Sequence, residues 1–484
     1  MSYYIKGKNN EYEVVIGCEI HAQIFSKSKL FSRSATKFGS PQNSQVSFVD
    51  AAMPGMLPTI NHFAIKQTIK TGLAINAKIN LESIFDRKNY FYPDLPQGYQ
   101  ISQYLDPIVG LGELEIELED ESKKKIGVTR IHMEQDAGKL IHDQHPSLSF
   151  VDLNRSGIAL MEIVSEPDIS SPYEACQYVK KIRSIVRAIK TCDGDMEKGN
   201  LRCDANVSVR VKGSKELGTR CEIKNLNSIS NIQKAIQFEA KRQVEIIENN
   251  GIINQETRLF DAVNNETRTM RSKEDAMDYR YFPDPDLPPL TISQDLVDSL
   301  KAELPELPDV KKERYMNEFK ISNYDAGVLT SDSKISAYFE DLVKKHNPKL
   351  SVTWLTVELL GRMNKLNLNF NNLPISSQNL SELLDFIDKG DISAKIAKEV
   401  LDLMFETGKN AAKIIEEKGL KQVSDDKAIT SMIETVLNEN SDKVTEYKSG
   451  KDKLFGFFVG QVMKASKGQA NPGLVNKILK EKLK

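Results

Sequence analysis

Residues 13–24 alternate without a break: Val14, Ile16, Cys18, Ile20, Ala22 and Ile24 fall on one side of an extended chain, and Glu19, His21 and Gln23 on the other. A period of two commits this stretch to a β-strand with one buried face, because a helix would scatter the same residues around its axis. The pattern returns at residues 201–210, where Leu201, Cys203, Ala205, Val207 and Val209 alternate with Arg202, Asp204, Asn206, Ser208 and Arg210. It returns again at residues 128–136, with Arg130, His132, Glu134 and Asp136 on one side. Strands of this kind, separated by Gly, Pro, Asn and Asp, imply a sheet with its apolar side against a core.

After residue 293 the texture changes. Apolar residues recur three and four apart, as in Leu380-Ser381-Glu382-Leu383-Leu384-Asp385-Phe386-Ile387, which is a helical period. The expected class is therefore α+β. A mainly antiparallel sheet domain over residues 1–292 precedes an all-α domain over 293–405 and a small helical tail over 406–484, the last division being suggested by Gly408 and a loop-like stretch at 419–426. A length of 484 residues exceeds what one core usually organises. Prolines exclude helix from residues 278–289, which read as an ordered strap leaving the first domain.

Hydrophobic residues at 40% and charged residues at 28% suit a soluble globular chain. With a formal charge of −2, a polyanionic partner must be met by a local patch. No run approaches the roughly 20 apolar residues that span a bilayer, and the N-terminus lacks a signal-like apolar core, so no membrane association and a cytoplasmic location are expected. The five cysteines, Cys18, Cys176, Cys192, Cys203 and Cys221, show neither zinc-knuckle nor redox spacing and read as reduced and mostly buried.

The chemistry concentrates on the polar strand faces. Glu162 sits inside the apolar run Ile158-Ala159-Leu160-Met161-Glu162-Ile163-Val164, so its carboxyl must be paired, protonated or bound to a cation. If their strands are neighbours, Glu19, His21, Glu134 and Glu162 offer oxygens and one imidazole, a set that suits Mg²⁺ held together with substrate phosphates. For residues 13–24 alone, the solvated outer face of an edge strand is the better reading of the pattern. The segment 201–224 reads as a hairpin presenting Arg202, Arg210, Arg220 and Lys224, either to phosphate or as a salt-bridged surface. A helix should follow from about Ile229 to Asn249, capped by Ser228 or Ser230 and closed by Gly251. No Gly-x-x-x-x-Gly-Lys-Ser/Thr loop is present. Eight lysines between Lys451 and Lys484, among them Lys464, Lys467 and Lys477, face only Asp452 and Glu481, which fits phosphate contacts or a solubilising end.

Ordered along the chain are Ile16-Gly17-Cys18-Glu19-Ile20-His21, Phe85-Asp86-Arg87-Lys88-Asn89-Tyr90-Phe91-Tyr92-Pro93-Asp94, His132-Met133-Glu134-Gln135-Asp136-Ala137-Gly138-Lys139, Leu201-Arg202-Cys203-Asp204-Ala205-Asn206 and Asp278-Tyr279-Arg280-Tyr281-Phe282-Pro283. Together with Val459-Gly460-Gln461-Val462-Met463-Lys464 and Lys467-Gly468-Gln469-Ala470-Asn471-Pro472, they resemble the B-subunit family of the aspartyl/glutamyl-tRNA(Asn/Gln) amidotransferases over essentially the whole chain. The resemblance implies a glutamine synthetase-like cradle, a helical domain and a tail that grips tRNA. It also implies Mg²⁺ at Glu19, His21, Glu134 and Glu162, and a nucleotide and acyl-phosphate region at Arg202, Asp204, Asn206 and Lys224.

The implied reaction uses ATP to phosphorylate the side-chain carboxylate of Glu-tRNA(Gln) or Asp-tRNA(Asn), then amidates it with ammonia. The implied partners are an amidase, which is the A subunit of a heterotrimer, its small C subunit, and misacylated tRNA. Many relatives carry a four-cysteine zinc knuckle, whereas here the matching stretches read Phe31-Ser32-Arg33-Ser34 and Ser47-Phe48-Val49-Asp50, so no zinc is expected. The rival readings are a non-catalytic tRNA-presenting scaffold and a stand-alone ligase acting on a free amino acid.

Overall fold

The structure, a computed structural model, describes residues 3–272, 279–370, 372–420, 426–466, 470 and 472–483. The chain divides into two compact units, Met1–Pro308 and Asp309–Lys484.

The first unit is organised by a nine-stranded sheet. Its strands are β1 (Tyr4–Lys6), β2 (Glu11–Gln23), β3 (Gly112–Glu117), β4 (Lys123–Gln135), β5 (Ala159–Ser165), β6 (Leu201–Val211), β7 (Cys221–Leu226), β8 (Glu256–Asp261) and β9 (Glu266–Ser272). The order across the sheet is β9-β8-β7-β6-β2-β5-β4-β3, with β1 also pairing to β2. Every pairing is antiparallel except β7 with β8, so the sheet is mainly antiparallel, as the sequence predicts, and mixed through one parallel pair. The reason lies in the 20-residue helix α3 (Ile229–Glu248), which separates β7 from β8 and carries the chain back to run in the same direction.

Three helices cover one face of this sheet. Ile65 and Ile69 of α1 (His62–Ala74), Tyr178, Val179 and Ile182 of α2 (Pro172–Ala188), and Ile232 and Ile236 of α3 share one core with Val14, Ile16, Cys18, Ile20 and Ala22 of β2. The helix boundaries follow from local chemistry. Ser171 accepts from the Glu174 amide with Pro172 opening α2, and Ser228 accepts from the Asn231 amide to start α3. The opposite sheet face keeps the ionisable side chains.

A smaller sheet of Asp86–Asn89, Tyr99–Ser102 and Phe282–Pro283 is tied to β4, where the Gln100 amide donates to the Gln135 carbonyl at 2.8 Å. The proline-rich strap is described from Tyr279 onward, Asp278 lying outside the described residues. Its Phe282–Pro283 pairs with Arg87 and Asp86, and Arg87 donates to the buried Asp284 at 2.8 Å. Helix α4 (Gln294–Ala302) then adds Val297 and Leu300 to the first core, which carries this unit past residue 292.

The second unit is helical, with two cores. One gathers side chains from Tyr315 to Ile415 and the other from Ile429 to Leu483. The gap between them falls later in the chain than 405/406, because Gly408 ends one helix in a left-handed cap while Ala411, Ile414 and Ile415 of the next still pack into the earlier core. Among the described residues, no helix is long and apolar enough to cross a membrane.

Where the resemblance would seat thiolates, the two segments are joined by a buried ion pair. The Lys29 ammonium lies 3.1 Å from Asp50 and 3.2 Å from the Leu153 carbonyl, while the Ser32 hydroxyl and the Ser47 amide also donate to Asp50. Lys29 is fully buried, so Asp50→Asn strands its charge. That substitution is expected to cost about 3–5 kcal/mol, read as a lower urea midpoint of the first unit; an unchanged midpoint rejects the pair as a staple.

Candidate functional site

The strand registers assemble the site. Across the sheet, Glu162 of β5 stands directly opposite His21 of β2 on one side and His132 of β4 on the other. Side chains directly opposite in a sheet share a face, so Glu162 is flanked by two imidazoles. His132 Nε2 lies 3.1 Å from Glu162 Oε2, and His21 Nε2 lies 3.4 Å from the same oxygen and 3.7 Å from Glu134 Oε1. Arg130 Nε donates to His132 Nδ1 at 3.4 Å, which leaves Nε2 to face Glu162.

The charges interlock. Burial alone would lift the Glu162 carboxyl, but the two histidines hold it well below the usual carboxylate range. Burial pushes the His21 imidazole down, yet Glu162, Glu134 and Asp204 more than offset this and raise its pKa to about 9. Glu19 shifts upward, through burial and then the nearby Glu162 and Glu222, against a 2.8 Å hydrogen bond from the Asn206 amide.

Among the described residues, His21, Glu134 and Glu162 bring one ligand atom each to within 4.8 Å of one another. A nitrogen and two carboxylate oxygens on three adjacent strands fit a hard divalent cation that keeps waters or phosphate oxygens in its other positions. Glu19 shares the face but stands outside this trio. It lies two residues along β2 from His21, a step of about 7 Å, and Asn206 holds its carboxylate, so the four-ligand set read from the sequence narrows to three with a neighbour.

The hairpin of β6 and β7 differs more from its sequence reading. Arg202 pairs with Asp136 at 3.2 Å, Lys224 with Asp204 at 2.9 Å and Glu222 at 2.8 Å, and Arg210 with Glu13 at 2.9 Å. The salt-bridged alternative holds for these three: Glu13 stands directly opposite Arg210, Lys224 is held by Asp204 of the neighbouring strand and by Glu222 of its own, and Arg202 reaches Asp136 beyond the end of β4. Asp204 and Asn206 do belong to the site's edge, standing opposite Glu19 and Gly17 of β2.

Sequence reasoning misses a group from the smaller sheet. Lys88 reaches over the Tyr279 ring, 4.9 Å from its centroid, and over Tyr90 at 5.9 Å, while Tyr281 stacks on Tyr104 with centroids 4.4 Å apart. Burial would lower the Lys88 ammonium, but Glu134, Tyr281 and Glu162 raise it, which fixes a positive charge facing the carboxylates. The available signal is the lysine and tyrosines inside the two motifs at 85–94 and 278–283; their convergence is a tertiary fact. His132 is visible on the polar face of its strand, but the pattern does not single it out. In the second unit, Lys464 and Lys477 are exposed, and Lys467 lies outside the described residues.

Fold and site together define a class: an α+β protein with a carboxylate and imidazole centre on the open face of a mixed sheet, followed by a lysine-bearing helical region. The chain belongs to the GatB/GatE family, since residues 14–298 match the family described as GatB/GatE catalytic domain and residues 337–483 match that described as GatB domain. It is 61% identical to the B subunit of the aspartyl/glutamyl-tRNA(Asn/Gln) amidotransferase of Wolbachia pipientis subsp. Culex pipiens (strain wPip), over 98% of this chain and 99% of the relative. It is 60% identical to the protein of the same name from Rickettsia rickettsii (strain Iowa), over 99% of each chain.

His132 orients Glu162 without joining the trio, so it is a positioning residue. His132→Ala is expected to weaken binding of Mn²⁺, used as a spectroscopic stand-in, by about 10–100-fold in a paramagnetic titration. Cys18→Ala, on the opposite sheet face, should leave that titration unchanged; equal losses in both variants would point to general unfolding instead.

Proposed function

We propose that this chain is the B subunit of an aspartyl/glutamyl-tRNA amidotransferase. It uses ATP to phosphorylate the side-chain carboxylate of Glu-tRNA(Gln), Asp-tRNA(Asn) or both, and then lets ammonia displace the phosphate. The observation that carries this reading is the convergence of His21, Glu134 and Glu162 in a chain that matches its relatives from end to end. Mg²⁺ bound there would supply charge neutralisation for phosphate oxygens.

The chain's own groups do the remainder. His132 and Arg130 hold Glu162 in place, so the centre is built before substrate arrives. Lys88, kept protonated by its carboxylate neighbours, places positive charge where negative charge spreads during phosphoryl transfer. Tyr90, Tyr279 and Tyr281 wall this region with ring faces and edges, which limits water around an activated carboxylate. The supporting frame is the glutamine synthetase-like cradle implied by the resemblance.

Ammonia has to be imported. All five cysteines are buried. Burial pushes the thiol of Cys176 up to about 11 and those of Cys192 and Cys221 up to about 12, so none of these three supplies a thiolate for glutamine hydrolysis near neutral pH. A glutaminase partner of the amidase type, the A subunit, joins with a small C subunit to complete a cytoplasmic heterotrimer. The helical tail meets tRNA phosphates through Lys464, Lys467 and Lys477.

Two measurements test this reading. Glu134→Gln, co-expressed with both partner proteins, should lose at least about 100-fold in ATP-dependent amidation of misacylated tRNA while its tRNA affinity is kept; retained turnover would make the chain a scaffold. Lys464→Ala with Lys477→Ala should weaken tRNA binding and flatten the dependence of log affinity on log salt by roughly one unit per lysine. An unaltered slope would remove these lysines from the interface.

A further inference from the structure

The short strand Asp86–Asn89 divides its work between its two faces. Lys88 brings its charge to Glu134 and Glu162, while Arg87 and Asn89, the residues before and after it, belong to the opposite face of the strand. Both of these grip the proline-rich strap. Arg87 donates to Asp284 and to Asp286, each at 2.8 Å. The Asn89 backbone amide donates to the Tyr279 carbonyl at 3.0 Å, and its side-chain amide donates to the carbonyls of Tyr279 at 3.1 Å and Arg280 at 2.9 Å.

What Asn89 holds is an unfavourable turn. Arg280 has φ +44°, in the left-handed region that a residue with a Cβ occupies at a cost and keeps only where its surroundings impose it. The rings on either side of the turn carry the consequence. Tyr279 and Tyr281 meet edge to face with centroids 6.2 Å apart, and Tyr281 stacks on Tyr104 at 4.4 Å. The Tyr279 ring in turn lies 4.9 Å from the Lys88 ammonium, near enough for its π face to attract the cation. A lysine stem left to itself samples many rotamers, so this ring restricts where the charge can stand.

We propose that Asn89 is a positioning residue for the reaction at the carboxylate and imidazole centre, acting through the strap and Lys88. Its donated hydrogen bonds keep the turn at Arg280, the turn keeps Tyr279 and Tyr281 in place, and the rings aim the ammonium at Glu134 and Glu162. This inference rests on the ATP-dependent reading above.

Asn89→Asp is the discriminating substitution, because an ionised carboxylate of the same size only accepts hydrogen bonds and would face two carbonyl oxygens. In the full chain co-expressed with its partners, backbone hydrogen exchange over residues 279–283 should become at least about 10-fold faster. Amidation kcat should fall by about 10–100-fold, the scale of a small misplacement, with KM for ATP and for misacylated tRNA unchanged. In a Lys88→Ala background the same substitution should cost nothing further, since the group it positions is gone. If Asn89→Asp is not recovered folded, Asn89→Ala takes its place in the same cycle. Unchanged exchange, a rise in KM alone, or an equal fold loss in both backgrounds overturns the proposal while leaving the ATP-dependent reading intact. A wild-type complex without turnover overturns that reading, and this one with it.

Discussion

A carboxylate held between two imidazoles is the interaction on which the functional face depends. Glu162 belongs to a strand whose neighbours, Met161 and Ile163, are fully buried, so an unpaired charge there would cost several kcal/mol. His21 and His132 remove that penalty from both sides, and they do so because β5 lies between β2 and β4 in antiparallel register. A slip of one residue in either pairing would turn the histidine to the helix-covered side and leave the carboxylate without its partner. Register, packing and electrostatics therefore specify the same arrangement.

That arrangement also explains the sharing of charge around the centre. Asp136, Asp204 and Glu222 are matched by Arg202, Arg155 and Lys224, so the perimeter is neutralised internally and rigidly held. Inside it, Glu134 and Glu162 converge with His21, and Lys88 enters from a separate small sheet. A highly charged ligand at this centre would therefore meet a few directed groups in the middle, not a broadly positive surface. This accords with a net charge near zero.

How far the sequence can be read follows from which physical rule governs each part. Period-two alternation in residues 13–24, 128–136 and 201–210 is enough to define strands and faces, and the anomalous Glu162 marks the centre because burial of a charge is costly. Helix α3 is legible through its serine cap, whereas the left-handed residue that closes it is Asn250 and not the Gly251 read from the sequence. Strand neighbourhood is not, because it is set by contacts between residues more than a hundred positions apart, such as Glu162 with His21. For the same reason the ion pairing of Arg202 and Lys224, the parallel β7–β8 pair and the approach of Lys88 leave no trace in local patterning. The separation of the two helical cores escapes too, since Gly408 signals the end of a helix but not the end of a core.

The alternation has a final consequence for the division of chemical labour. Cys18 adjoins Glu19 in sequence, and Cys203 adjoins Asp204, yet each thiol lies on the core side of its strand and each carboxylate on the open side. The same period that assembles a centre for activating an electrophile thus turns Cys18 and Cys203 into the apolar core, away from the open face. A one-residue insertion that exposed Cys18 would at once bury Glu19 and His21. Within this sheet the two kinds of chemistry exclude one another, so a chain that commits its open face to carboxylate activation has to take its nitrogen nucleophile from elsewhere.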